Sequence, residues 1–393
     1  MMPDLLSFGV LALIVLAGLG GPLLGVLARR FVPLVIGEIL AGILIGPAVA
    51  NVVHPYDSTI STLAEIGFAM LMLTVGMHLP LRDRRLAQSA REGSLLAGIV
   101  CVLAIPAGLL AAAVSGSGHA AIYAVVLASG SAAVLLPALE ESGLAGRAVI
   151  TVMAQVTIAD ILTILAVPIV LAPARVGHVL LGGVLVAAAA AIMYAATQPL
   201  GGREWVRGVR RLSKQRYWAL DLRLSLLALF VLAWIAEKGG TSILIAGFGA
   251  GVIVALIGGP KRLSTQMRGV ADGFFVPLYF VVLGARLDLA GLVRDPTMLA
   301  LATALVVLNV AIHLLAALAL RQGAPSALAA SAQLGVPAAV ASLGLSEHIL
   351  SPVIATAVVV SALVSLGVST LGIELLARPS AEAGAAPGTQ PAS

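Results

Sequence analysis

Ala154-Gln155-Val156-Thr157-Ile158-Ala159-Asp160 decides how this chain is read. The heptapeptide lies in an apolar run over residues 146–172, with Asp160 near its middle. A run of that length spans a bilayer as a helix. A carboxylate at mid-bilayer depth costs several kcal/mol unless it has a partner or a task, so it marks a functional site by default. Thr157 and Thr163 flank Asp160 at i−3 and i+3 and share its helix face. The three side chains together offer oxygen atoms to a small hard cation. The bland alternative is an aspartate paired with a polar group of a neighbouring helix.

Outward from this stretch, the composition is that of a polytopic membrane protein. The 393 residues are 60% hydrophobic and 10% charged, with mean hydropathy +1.09. Soluble domains carry about 25% charge. The single cysteine, Cys101, sits in an apolar run, which excludes an internal disulfide and a cysteine-based metal site. Thirteen apolar runs are legible, near 5–27, 31–47, 61–80, 93–115, 119–139, 146–172, 177–197, 222–238, 241–259, 271–289, 297–321, 325–345 and 352–377. Most reach the roughly 20 residues that a bilayer demands; the second and eighth are short. The first is not expected to be a cleaved signal peptide, because Asp4 precedes it and Arg29-Arg30 follow.

Charge sorts the loops. With the N-terminus outside, nineteen of the 23 Lys and Arg residues fall in inner loops, and only Arg175, Lys238, Arg286 and Arg294 fall outside. This asymmetry predicts thirteen spans and a cytoplasmic C-terminus. It also accounts for the net charge of +5 without a nucleic-acid partner.

The most basic loop, 198–223, leaves six spans on each side once the run at 177–197 is counted as a linker. An odd span between the halves inverts the second, so spans 1–6 and 8–13 are expected to be inverted repeats, a plan common among secondary transporters. The fifth span of each half looks interrupted. The first reads Ala128-Ser129-Gly130-Ser131-Ala132-Ala133, with Pro137 beyond it. The second reads Ser331-Ala332-Gln333-Leu334-Gly335-Val336-Pro337. Small, polar, Gly and Pro residues at matching places predict helices that unwind at mid-membrane and turn backbone groups toward a cavity. Plain helix packing through small residues is the competing explanation. Residues 379–393 are expected to be a disordered cytoplasmic tail. No Gly-rich phosphate fingerprint stands in a strand-to-helix context, and no cofactor is expected.

Four motifs then carry a family resemblance over about residues 5–377. They are Val35-Ile36-Gly37-Glu38-Ile39-Leu40-Ala41-Gly42-Ile43-Leu44-Ile45-Gly46-Pro47; Leu63-Ala64-Glu65-Ile66-Gly67; Phe274-Phe275-Val276-Pro277-Leu278-Tyr279-Phe280 with Gly284 and Asp288; and Leu343-Gly344-Leu345-Ser346-Glu347 with Ile349-Leu350-Ser351-Pro352. In this order they resemble the second, third, tenth and last spans of the monovalent cation/proton antiporter superfamily, second branch. The implied fold is an all-α polytopic sodium/proton antiporter fold with about thirteen helices and crossed broken helices. The implied activity is elevator-like exchange of Na+ or K+ for H+ across a plasma membrane, by a homodimer. Spans at 5–80 and 222–289 would form the dimer scaffold, and spans at 93–172 and 297–377 the moving core, all within residues 1–378. Asp160 falls where the family carries its ion-binding carboxylate. The chain departs from the pattern at Ala159, where the family has Asn or Asp. It departs again near His313, where a Lys or Arg is common, and at Leu334-Gly335-Val336.

The expected cation and proton ligands are Asp160, Thr157, Ser129, Ser131 and Gln333. His313, with Asn309 one turn earlier, is either a hydrogen-bonded neutral imidazole or a titrating partner of Asp160. Glu38 and Asn309 are expected to be structural polar residues. Competing functions are an organic-anion transporter on the same fold and a transport-inactive sensor or partner protein. An enzyme is not expected, since no nucleophile–base pair or metal cluster is visible.

Overall fold

The computed structural model describes residues 8–28, 33–79, 84–144, 146–199, 204–257 and 261–384. Arg29, Arg30, Arg82 and Arg203 of the charge count lie outside the described residues.

Helices form where the apolar runs predicted them. The first half comprises α1 (Phe8–Gly18), α2 (Gly20–Ala28), α3 (Leu34–Ile45), α4 (Ser58–Met77), α5 (Arg84–Ser115), α6 (Ala120–Ala128), α7 (Ala132–Glu141) and α8 (Arg147–Leu171). The linker helix α9 (Val176–Thr197) follows, then the short basic α10 (Glu204–Gln215). The second half comprises α11 (Leu220–Lys238), α12 (Ile243–Ile257), α13 (Lys261–Val270), α14 (Val276–Ala285), α15 (Leu289–Arg294), α16 (Pro296–Ala319), α17 (Ala324–Ala330), α18 (Gly335–Ser346) and α19 (Pro352–Gly384). A π-helical segment, Ala271–Phe275, joins α13 to α14.

Nine helical stretches among the described residues are long and apolar enough to cross a membrane, and α3 and α12 are shorter apolar helices. The broken pair α6–α7 and helix α11 complete the thirteen expected spans. Starts are set by local chemistry. Asp57 caps α4 by accepting from the amides of Thr59 and Ile60. Asp295 caps α16 through Thr297 and Met298, with Pro296 at the first helical position.

The order of elements repeats. In each half a long helix (α5, α16) precedes a helix broken at its middle (α6–α7, α17–α18) and then a long closing helix (α8, α19). The breaks fall at Ser129-Gly130-Ser131 and at 331–334, as the sequence predicted. One expectation is corrected: α19 continues to Gly384, past the expected start of the tail at 379. Ala381-Glu382-Ala383 favours the helix. Residues 385–393 lie outside the described residues.

Glycine decides which helices lie backbone to backbone. A Cβ at Gly42 of α3 would collide with the Val281 carbonyl of α14, and one at Gly251 of α12 with the Leu73 carbonyl of α4. Similarly, Gly93 of α5 lies against α8, where a Cβ would stand 2.8 Å from the Gln155 nitrogen, and Gly372 of α19 lies against the Ala329 nitrogen of α17. With Gly67 of α4, where a Cβ would stand 2.9 Å from the Tyr279 Cβ of α14, these approaches tie α3, α4, α12 and α14 into one set, and separately α5 to α8 and α17 to α19. Between the two sets the contact is softer. A Cβ at Gly335 of α18 would meet only the Met72 methyl, at 3.8 Å, an ordinary contact. Hydrogen bonds across the seam run from the Tyr279 hydroxyl to the Ala338 carbonyl, 3.0 Å, and from the Asp288 amide to the Thr356 hydroxyl, 2.8 Å.

Two arginines are held by side-chain contacts. Arg286, one of the few basic residues assigned outside, is buried and donates to the Pro55 carbonyl (3.0 and 3.2 Å) and the Ser61 hydroxyl (3.0 Å). Its guanidinium also lies 5.4 Å from the centre of the Tyr56 ring. It is retained there as a clamp on the loop before α4, so it carries no weight as a topology signal. At the other end Arg147 pairs with Glu92, which also accepts from Thr151 at 3.3 Å.

Candidate ion site

The broken helices present two kinds of backbone end. At the start of α7 the amides are free of intrahelical partners, and this end carries a partial positive charge. At the ends of α6 and α17 carbonyls are left over, with the opposite sign. The polar side chains of the middle of the molecule divide between these two poles.

Asp160 serves the amide pole. It is 2% exposed, and its Oδ2 accepts from the Ala132 amide at 3.3 Å. The α6–α7 break fits against α8 because residue 130 is glycine: a Cβ there would stand 2.8 Å from the Val156 side chain. Thr157, one turn before Asp160, is buried, and its hydroxyl has no hydrogen-bond partner among the described residues. An unpaired buried hydroxyl costs about 1–3 kcal/mol. The free lone pairs of this oxygen are of the kind that hard cations take as ligands. Thr163 differs in its hydrogen bonding. Its hydroxyl donates to the carbonyls of Ala159 (2.7 Å) and Asp160 (3.2 Å), back onto its own helix.

The carbonyl pole is covered by hydroxyls and amides. Ser129 donates to the Val126 carbonyl at 2.7 Å, and Ser331 donates to the Leu328 carbonyl at 2.7 Å, the same contact in each half. Gln333 crosses from one break to the other: its Nε2 donates to Val126 (2.7 Å) and Leu127 (3.4 Å) of α6. It also donates to Asn309 Oδ1 at 3.0 Å. Asn309 Nδ2 donates to the Ser331 carbonyl (2.9 Å) and Ser365 Oγ (3.1 Å). Ser131 is buried at the start of α7, where its carbonyl accepts from Leu135 at 3.0 Å.

The structure therefore brings Asp160 to the amide of Ala132, and Ser129 and Gln333 to the same α6 carbonyl. His313 is buried one turn along from Asn309, and its Nδ1 is 2.8 Å from the Asn309 carbonyl. Among the described residues the one ion pair is Arg147–Glu92, so His313 makes none with Asp160. Glu38 lies apart, in α3. It is 4% exposed, and its Oε2 has no hydrogen-bond partner among the described residues. Sequence reasoning missed Ser365. The signal was present in the spacing of Ser361, Ser365 and Ser369, which puts three buried hydroxyls on one face of α19.

Residues 10–378 match the family model described as sodium/hydrogen exchanger, transmembrane. The chain belongs to the sodium/hydrogen exchanger family. With its candidate membrane-crossing helices, it is a multi-pass membrane protein. Similar curated proteins include the putative Na(+)/H(+) antiporter YjbQ of Bacillus subtilis, 25% identical over 293 residues, covering 70% of this chain and 47% of YjbQ. The Na(+)/H(+)-K(+) antiporter GerN of Bacillus cereus is 24% identical, over 66% of this chain and 67% of GerN. The probable Na(+)/H(+) antiporter 3 of Methanocaldococcus jannaschii is 28% identical, over 66% of both chains. The chain thus spans about half the length of YjbQ and about two thirds of the other two. Among solved structures, the sodium proton antiporter MjNhaP1 of Methanocaldococcus jannaschii has the same fold. Its TM-score is 0.63 at 16% identity, over 95% of this chain and 97% of that one.

Proposed function

We propose that this chain exchanges a monovalent cation, Na+ or K+, for H+, with Asp160 binding either ion. The observation that carries the reading is the pairing of a buried Asp160 at the amide end of α7 with the unpartnered hydroxyl of Thr157 beside it. Similarity to proteins named as Na+/H+ and Na+/H+–K+ antiporters supports the same exchange. The organic-anion alternative is less well supported, because the amide end that would receive an anion already holds a carboxylate.

One site and competition suffice as a mechanism. A bare carboxylate moved through a low-dielectric barrier is heavily penalised. Bound to a proton or to a cation, the site is neutral and its carrier moves. Arrival of one ion at Asp160 displaces the other, which couples the two fluxes. The moving body in this proposal is the core, residues 93–172 and 297–377. It slides past a scaffold formed by residues 5–80 and 222–289, which also forms the homodimer. The soft seam at Met72–Gly335, against glycine-mediated backbone contact inside each body, supports that division.

Ala159 leaves one acid where the superfamily often has two polar residues. One proton then exchanges for one cation, and no net charge crosses. Each uncompensated charge would feel about 2.3 kcal/mol per 100 mV. The test is Na+-driven proton flux in proteoliposomes with the potential clamped by valinomycin and K+. Flux that responds to Na+ and ignores the imposed potential is expected, with an apparent KM for Na+ that falls by at most about tenfold per pH unit as pH rises, the limit for one competing proton. Flux that rises steeply with potential shows that a second charge moves.

A further inference from the structure

We infer that Asn309 and Gln333 act as one uncharged clamp that sets the register of the two broken helices, and so places the α7 amide end against Asp160. Where each half-helix stops, carbonyls point into the protein interior, and a buried carbonyl without a donor costs about 1–3 kcal/mol. The ends of α6 and α17 come from different halves of the chain, so nothing local holds them to each other. Gln333 bridges them. It stands in the second break and donates to Val126 and Leu127 at the end of the first half-helix. Asn309, on the unbroken α16, accepts from Gln333 and donates to the Ser331 carbonyl at the end of the other half-helix.

The hydrogen inventory closes. Each primary amide has two N–H groups. Those of Asn309 go to Ser331 and Ser365, and those of Gln333 to Val126 and Asn309, with Leu127 a longer third acceptor. Ser365 passes its own hydrogen to the Ser361 carbonyl at 2.9 Å. All five of these side chains and caps, Asn309, Gln333, Ser331, Ser361 and Ser365, are buried. A chain of polar groups satisfied in this way in a low-dielectric interior rigidifies the elements it joins. Here it joins α6, α16, the α17–α18 break and α19. A lysine or arginine could donate to the same kind of carbonyl, but it would bring a fixed charge into the low-dielectric interior. The two amides supply donors without one. Gln333 is thus a positioning residue, its N–H groups holding the carbonyl ends of the broken helices together.

The inference rests on the proposed exchange at Asp160 only for its transport readout, and the experiment separates the two. A double-mutant cycle is measured with Asn309→Ala, Gln333→Met and the pair, in the full chain. Thermal unfolding in detergent reports the clamp whether or not the protein transports. Each single variant is expected to lower Tm, and the double variant to fall no further than the worse single, because removing either amide breaks the same unit. In proteoliposomes each variant is expected to raise the apparent KM for Na+ about tenfold while the saturated rate stays within about twofold, the pattern of lost positioning in binding. Should either protein not be recovered, Asn309→Ser and Gln333→Ser run the same cycle with milder losses. Additive Tm losses overturn the clamp. Coupled Tm losses with an unchanged KM overturn its placing of the ion site. A wild type with neither Na+- nor K+-driven flux counts against the proposed exchange, while the Tm cycle still decides the clamp.

Discussion

At the scale of residues, the middle of the molecule is governed by what each oxygen has left to give. Thr157 and Thr163 flank Asp160 alike in sequence, yet only Thr157 keeps a hydroxyl without a partner. Thr163 spends its hydrogen on the carbonyl four residues back, the usual fate of a threonine inside a helix. If the Thr157 hydroxyl is a ligand, Thr157→Val, which keeps the shape and removes the oxygen, raises the apparent KM for Na+ about tenfold, as loss of one good polar contact does. Thr157→Ser restores it. An unchanged KM in the valine variant removes Thr157 from the site. Asp160 was legible from sequence because a carboxylate inside an apolar run is conspicuous whatever its surroundings. The partners of Asn309 and Thr163 were not. Helical spacing gives the face a side chain shares, but not the rotamer it adopts or which of two acceptors it meets.

At the scale of elements, the unwound stretches and the glycine contacts fix how helices approach. Both breaks were readable, since Ser-Gly-Ser and Ser-Ala-Gln-Leu-Gly interrupt otherwise helical runs at matching positions. Which helix each glycine faces was not readable, because an isolated sequence does not say what lies across from Gly42 or Gly251. The contacts make a paired prediction. Gly251→Ala drives a methyl into the Leu73 carbonyl between α12 and α4, and is expected to destabilise by about 1–3 kcal/mol, measured as a fall in detergent Tm. Gly98→Ala, in α5 with nothing within 4 Å, gains helix propensity of up to about 1 kcal/mol and is expected to leave Tm level or raised. Equal losses in both variants would show that the α4–α12 contact is looser than the structure has it.

For the whole molecule, the distribution of Lys and Arg and the positions of the breaks point to one arrangement: N-terminus outside, two inverted halves and a basic inner loop between them. The orientation is tested by labelling single cysteines in intact cells, in a Cys101→Ala background. His54→Cys, in the exposed loop before α4, is expected to react with a membrane-impermeant maleimide. Gln215→Cys, exposed at the end of α10, is expected to react only after the cells are opened. Labelling of residue 215 in intact cells would reverse the orientation. Glu38 is the remaining buried carboxylate with an unpartnered oxygen, and it lies in α3 of the proposed scaffold, away from the crossing. In the proposed exchange the fluxes couple at Asp160 and not there. The measurement that tests this most directly is Na+- and K+-driven proton flux in sealed proteoliposomes, with wild type beside Asp160→Asn and Glu38→Gln. Flux is expected in the wild type and in Glu38→Gln, and the level of empty liposomes in an Asp160→Asn protein that still inserts and melts like the wild type. Near-normal flux in Asp160→Asn would contradict coupling at Asp160, and its loss in Glu38→Gln alone would move the ion site into the scaffold.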